Sequence, residues 1–321
     1  MKRAQIEYRS LYDIIRWVGG IIPVCFILLF GCVFWFPIPE KERITVVVAS
    51  TPIVIATIDT IDHKATLFSV PEDITIEGAY AMGRYPIASF WKMGALDRKD
   101  HALLATSIQQ SFGIPIEGYV GREHGVLTAQ TDAIRLLFDM FSYRSMVFYA
   151  SKRYVTNLSL STLIRLYRTI PVIRQSDVSV HVLGPQTSTF TEELPDGTSR
   201  TVLDPLNIDL RTKGLFERST VRKEALSVGV VNTTGIPELA KSIARQLGNS
   251  GMFVVSLESE NKPLARCTVS AKKELLKSSS ISFIHETYGC DIQTLQGGHR
   301  EDILIKIGTD IGAEYQPRLH H

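Results

Sequence analysis

Residues 17–39 carry no charged side chain, and this stretch constrains the chain more than any other. Its centre reads Ile21-Ile22-Pro23-Val24-Cys25-Phe26-Ile27-Leu28-Leu29-Phe30. At about 1.5 Å per residue, about 20 such residues cross a bilayer core of roughly 30 Å. A helix satisfies its own backbone groups there. Trp17 and Trp35 stand near the two ends, where amphipathic rings prefer the interface, and Pro37 and Pro39 stop the helix. Lys2, Arg3, Arg9 and Arg16 precede the segment, whereas Lys41 and Arg43 after it alternate with Glu40 and Glu42. This basic excess predicts a cytoplasmic N-terminus and an extracytoplasmic remainder. A cleaved signal peptide is the rival reading. It would have a shorter apolar core and a small-residue cleavage site, and Phe34-Trp35-Phe36-Pro37 is not one.

The 321 residues suit an anchor plus two globular domains. Hydrophobic residues make up 45% and charged residues 21%, which is a folding composition rather than a disordered one. The formal net charge of +2, without a long basic run, argues against a nucleic-acid partner. Nothing in the composition sets an oligomeric state.

Past the anchor the chain reads as α/β. Residues 44–48, 53–58 and 64–70 are continuous apolar runs, which predicts strands of a central sheet covered on both faces. Residues 101–112 have Leu104, Ile108 and Phe112 on one helical face, then Gly113 and Pro115 as a stop. Tyr119 and Val120 open a short strand, and residues 131–140 and 160–167 read as helices. Residues 186–206 are rich in Thr, Ser and Pro, with Pro195-Asp196-Gly197 as a turn, and predict a β-rich or looped segment. Residues 226–231, 253–255, 266–269, 292–295 and 303–307 read as strands. Between them, a helix with Pro237 in its first turn carries Leu239, Ala240, Ile243, Ala244 and Leu247 as one stripe, and 272–288 is helix-like. The order β-α-β-β-α-β-β predicts a small α/β domain of βαββαβ type. The expected organisation is thus a cytoplasmic N-terminus (1–16), a transmembrane helix (17–39), an α/β domain (44–211), a linker (212–224), a second α/β domain (225–312) and a tail (313–321).

Cys267 and Cys290 fall in the exported part, where a disulfide is allowed. They either pair or stand as two buried thiols. The helix between them, leaving the sheet at one end and returning at the other, favours separate thiols. No Cys-x-x-Cys pair, His-rich cluster, Gly-x-Ser-x-Gly elbow or phosphate-binding Gly-rich loop occurs.

Several stretches resemble a family. Ser69-Val70-Pro71-Glu72-Asp73, Ala79-Tyr80-Ala81-Met82-Gly83 and Phe112-Gly113-Ile114-Pro115-Ile116-Glu117-Gly118-Tyr119-Val120 together are similar to the LytR-CpsA-Psr proteins of the cell envelope. Val230-Val231-Asn232-Thr233-Thr234-Gly235 and Ile305-Lys306-Ile307-Gly308 resemble the LytR C-terminal domain. Active members of that family transfer polymers from a polyprenyl-pyrophosphate carrier to the wall, using arginines for the pyrophosphate and carboxylates for magnesium. This chain departs from the pattern. Glu72 stands where the family has arginine, and Ser50-Thr51-Pro52 stands where an acid is expected. The family's later arginine-rich block has no counterpart. The resemblance therefore implies a pseudoenzyme: a membrane-anchored, extracytoplasmic protein that binds a wall polymer, a lipid-linked carrier or a protein partner. The alternative is a divergent phosphotransferase of the same family, and only that alternative calls for magnesium. Asp73 is the remnant of the metal site, and Arg84, Arg98 and Arg122 are the arginines left to meet in a cleft. The competing reading makes Asp73 a solvated turn residue and the three arginines scattered surface cations.

Overall fold

The computed structural model describes residues 41–96, 101–122, 127–128, 133–142, 145, 154–184, 188–295, 300–313 and 315. The expected transmembrane segment, the tail beyond 315 and Arg98 lie outside these. Among the described residues no helix is long and apolar enough to cross a membrane.

The first half of this mixed α/β structure holds strands β1 (Arg43–Val48), β2 (Ser50–Thr51), β3 (Ile53–Asp59), β4 (Lys64–Val70), β5 (Thr75–Gly78) and β6 (Gly83–Pro86). Helices α1 (Ser89–Leu96) and α2 (Ala102–Phe112) follow, then β7 (Gly118–Arg122), β8 (Leu127–Thr128), α3 (Ala133–Met140), β9 (Tyr154–Thr156) and α4 (Leu160–Thr169). Next come β10 (Val178–Val182), β11 (Thr189–Glu193), β12 (Ser199–Leu203), α5 (Pro205–Thr212) and α6 (Ser219–Glu224).

The central sheet has the order β10-β4-β3-β1-β7-β9. Antiparallel pairing joins β1 to β3 and β3 to β4, while β7 lies parallel to β1 and β10 parallel to β4. Every residue of β3 is buried, and the two-residue period explains how. Val47, Ile53 and Ile55 join the core under α1 and α2, with Trp91, Leu104, Ile108 and Phe112. Ile44, Val46, Val48, Val54 and Ile58 join the opposite core, with Leu137, Phe141 and Leu166. An apolar run with no alternation is what a strand covered on both faces requires. Gly113 ends α2 in the left-handed region at φ 63°, as its position after Phe112 predicts.

A second sheet, β11-β12-β5-β6, is built from two hairpins. The β11–β12 hairpin falls in the stretch that the sequence predicts as β-rich or looped, whereas no sequence signal marks the β5–β6 hairpin. The predicted turn at Pro195-Asp196-Gly197 joins β11 to β12, with Asp196 accepting from the Thr198 N–H at 2.9 Å. The stretch read as a linker, 212–224, contains α6, whose Val221 is buried in the last core. Helix α6 is fastened at both ends. Glu42 accepts hydrogen bonds from the N–H groups of Ser219 and Thr220 and from the Thr220 hydroxyl. Glu224 in turn accepts from the Ser279 and Ser280 N–H groups at 2.6 and 2.9 Å.

The last part holds β13 (Ser227–Asn232), α7 (Leu239–Asn249), β14 (Phe253–Ser259), β15 (Thr268–Ala271), α8 (Ser279–Tyr288), β16 (Asp291–Thr294), β17 (Ile303–Ile307) and α9 (Thr309–Gly312). The sheet order is β14-β13-β17-β15-β16, and α7 and α8 pack into one core with it through Leu239, Ile243, Leu247, Ile281 and Ile284.

Cys267 and Cys290 form a disulfide, with Cα atoms 4.5 Å apart. The expectation of separate thiols fails for a topological reason. A helix that follows a strand runs back along it, so β16 begins at the edge where β15 began. The two strands are parallel, with Thr268 opposite Asp291, so the residues just before them are neighbours. The helix spans the distance that β15 had already covered.

Candidate functional site

In an open α/β sheet, ligands gather outside the carboxyl ends of the parallel strands. Here β1, β4, β7 and β10 all end at one edge, because β1 and β4 both run antiparallel to β3. That edge carries Ser50, Thr51, Glu72, Asp73 and Arg122. Glu72 is exposed and accepts a hydrogen bond from the Thr51 hydroxyl at 3.2 Å. Asp73 lies exposed in the turn after β4, and Arg122 is the exposed last residue of β7. The strands β4 and β7 are three places apart in the sheet, so roughly 14 Å separates their ends. Asp73 and Arg122 share an edge without meeting.

Arg84 belongs to the other sheet. It lies in β6 opposite Glu77 of β5, and its Nη1 is 3.4 Å from Glu192 of β11. Arg98 falls outside the described residues. The remnant arginines are therefore not gathered around Asp73 among the described residues. No cluster of three or more His, Cys, Asp or Glu side chains able to hold a metal occurs among them either.

Beneath the sheet edge the core is filled by large side chains. Phe90, Trp91, Phe112 and Tyr119 are at most 1% exposed, and Trp91 stacks on His101 with centroids 3.9 Å apart. Gly121 makes room for this packing, since a Cβ there would stand 2.4 Å from the Trp91 ring.

A cleft of about 440 Å³ opens instead where the second sheet meets α2 and the start of α7. Its walls come from β5, β6, β11, β12, the end of α2 and the first turns of α7, with Tyr315 at one side. Arg245 of α7 closes its floor. It donates from Nη1 and Nη2 to the carbonyls of Gln110 and Ser111 at 3.2 and 3.1 Å, and Asn249 donates to that of Gly113 at 2.9 Å. These are the orphan carbonyls at the end of α2, where a cation is favoured. No sequence motif marks this cleft. Its walls lie up to 240 residues apart along the chain, between Thr75 and Tyr315.

A second contact between the two halves is more deeply buried. Glu117 accepts from the Thr45 N–H at 2.6 Å and from Arg218 at 3.0 Å. Burial pushes its carboxyl above the usual range, with Arg218 and the Thr45 N–H opposing that shift. The effect of burial prevails because the site is shielded from water.

No known family profile matches this chain. No curated protein matches it either. Several solved structures align with about half of it. TagV of B. subtilis is 12% identical over 53% of this chain and 94% of its own, with a TM-score of 0.39. TagT bound to LIIa-WTA is 14% identical over 53% of this chain and 88% of its own, with a TM-score of 0.39. A transcriptional regulator from Enterococcus faecalis is 13% identical over 64% of this chain and 93% of its own, with a TM-score of 0.40. Likeness at this level says nothing of substrate or activity.

Proposed function

We propose that this chain is a membrane-anchored, extracytoplasmic cell-envelope protein that binds a wall polymer without transferring it. The observation that carries the reading is Glu72. Its carboxylate lies exposed at the sheet edge, held by Thr51, at the place where the resemblance calls for an arginine on pyrophosphate. At an effective dielectric of about 20, like charges 4 Å apart repel by roughly 4 kcal/mol, and an arginine there would attract by as much. The other arginines do not compensate: Arg84 faces Glu192, and Arg122 is across the sheet from Asp73.

The test is incubation of the purified chain with a lipid-linked wall-polymer precursor and magnesium. The expected result is retention of the polymer and no release of carrier phosphate. Magnesium-dependent release that disappears in Asp73→Ala would overturn the reading in favour of a divergent phosphotransferase. The topology has its own test. Protease added to intact cells is expected to digest the chain from about residue 43 onward, and a protected C-terminal domain would refute the orientation.

A further inference from the structure

We infer that the cleft between the second sheet and α7 is a subsite for a neutral sugar unit, one or two rings long. This deepens the polymer-binding reading and rests on it.

The volume comes first. About 440 Å³ lies within the range of small-ligand clefts, roughly 300–1,000 Å³. Its chemistry is mixed in a particular way. Phe190 is 45% exposed, and its ring lines the cleft together with Pro237. Polar groups suited to hydroxyls surround them, among them Gln110, Ser242 and Tyr315. An apolar wall beside hydroxyl and amide groups matches a pyranose, which has an apolar C–H face and a polar rim.

Charge decides between a sugar and an anion. Among the described residues the cleft has three cations, and each has a carboxylate at hand. Arg84 is 3.4 Å from Glu192, Lys241 is 2.9 Å from Glu238, and Arg245 is 2.7 Å from Asp209. Glu77 adds a further carboxylate opposite Arg84. A phosphate or pyrophosphate would have to displace these partners and meet their carboxylates. A neutral ligand displaces none of them, and the paired charges remain available as hydrogen-bonding groups.

Position supports a polymer unit over a free metabolite. The cleft is open to solvent and bounded by elements from both halves of the chain, so a unit of a longer glycan can enter it without being enclosed. Arg245 fixes its floor by joining α7 to the end of α2, which gives the walls a defined spacing.

The experiment is isothermal titration of the full chain, in micelles of a sugar-free detergent, with cellobiose, maltose and N,N′-diacetylchitobiose. Inorganic pyrophosphate is the charged control. At least one disaccharide should bind saturably. Phe190→Ala, at an exposed position, should weaken that binding roughly tenfold. Ser242→Phe, which would fill the cleft from the surface of α7, should abolish it. Pyrophosphate should neither bind there nor compete. Failure of all three disaccharides to bind would overturn the inference. So would binding indifferent to both variants, or competition by pyrophosphate. A chain that still sediments with purified cell wall in both variants would sink the cleft but leave the polymer-binding proposal standing. Magnesium-dependent transfer would sink that proposal whatever the cleft binds.

Discussion

Arg245 donates from Nε to both carboxylate oxygens of Asp209, at 2.9 and 2.7 Å, while its other nitrogens hold the carbonyls at the end of α2. One side chain thus satisfies an acid and a helix terminus in the other half of the chain. Arg245→Ala should lower the unfolding free energy by about 1–3 kcal/mol, since it leaves part-buried acceptors unpaired. Arg245→Lys should recover little, because an ammonium lacks the planar fork. Urea unfolding of the three proteins side by side checks this. Equal midpoints would show that the contact is not stabilising.

Glu72 makes a prediction about anions. Glu72→Arg reverses the charge at the sheet edge and should raise affinity for inorganic pyrophosphate about tenfold, a figure reduced for solvent screening. Titration calorimetry at low ionic strength measures it, and the gain should fade as salt is added.

Gly121 is expected to be intolerant of substitution. A Cβ there meets the Trp91 ring at 2.4 Å and the Ala49 methyl at 2.9 Å. Neither neighbour is the loose end of a flexible side chain. Gly121→Ala should cost about 1–3 kcal/mol by overpacking. In the chain from residue 41 onward Trp91 is the sole tryptophan, so its fluorescence reports the disturbance directly.

Asp302 governs part of the acid response. The Ser227 N–H, then the Ser227 hydroxyl, hold its carboxyl below the ordinary aspartate value of 3.8. A group depressed in the folded state stabilises above its unfolded pKa and loses that contribution as pH falls through the folded one. Wild type should therefore lose stability below pH 3.8 more steeply than Asp302→Asn does. Thermal unfolding from pH 5 down to about 2 compares the slopes. Parallel curves would rule out a role for this carboxyl.

The central sheet is legible because burial on both faces leaves mostly apolar sequence in β1 and β3, while in β4 Thr66 and Ser69 interrupt the run. The β5–β6 half of the second sheet is not. Its strand β6, Gly83–Pro86, is exposed throughout, so no hydrophobic period marks it. β10 shows the same difficulty, since this edge strand leaves Val180 and Val182 41% and 68% exposed. The disulfide is not legible in composition, because it depends on chain direction: the helix returns the chain to the edge it left, beside Cys267. Glu72 and Asp73 do lie just past the end of β4, as the sequence predicts. The cleft could not be read at all, because Phe190, Lys241 and Tyr315 become neighbours only when three separate segments fold together.

Glu42 caps a helix whose first residue lies 177 positions later in the chain. On a ribosome the carboxylate emerges long before the N–H groups it will accept from. During that interval the first strand has its sheet partners within reach but its leading edge unlatched. The Arg43 contact with the Leu215 carbonyl waits almost as long, at a separation of 172. Closing such distant contacts is entropically slow, so the beginning of this domain is completed late. A chain cut short before residue 215 would retain the strands of the central sheet and lose both fastenings at their start.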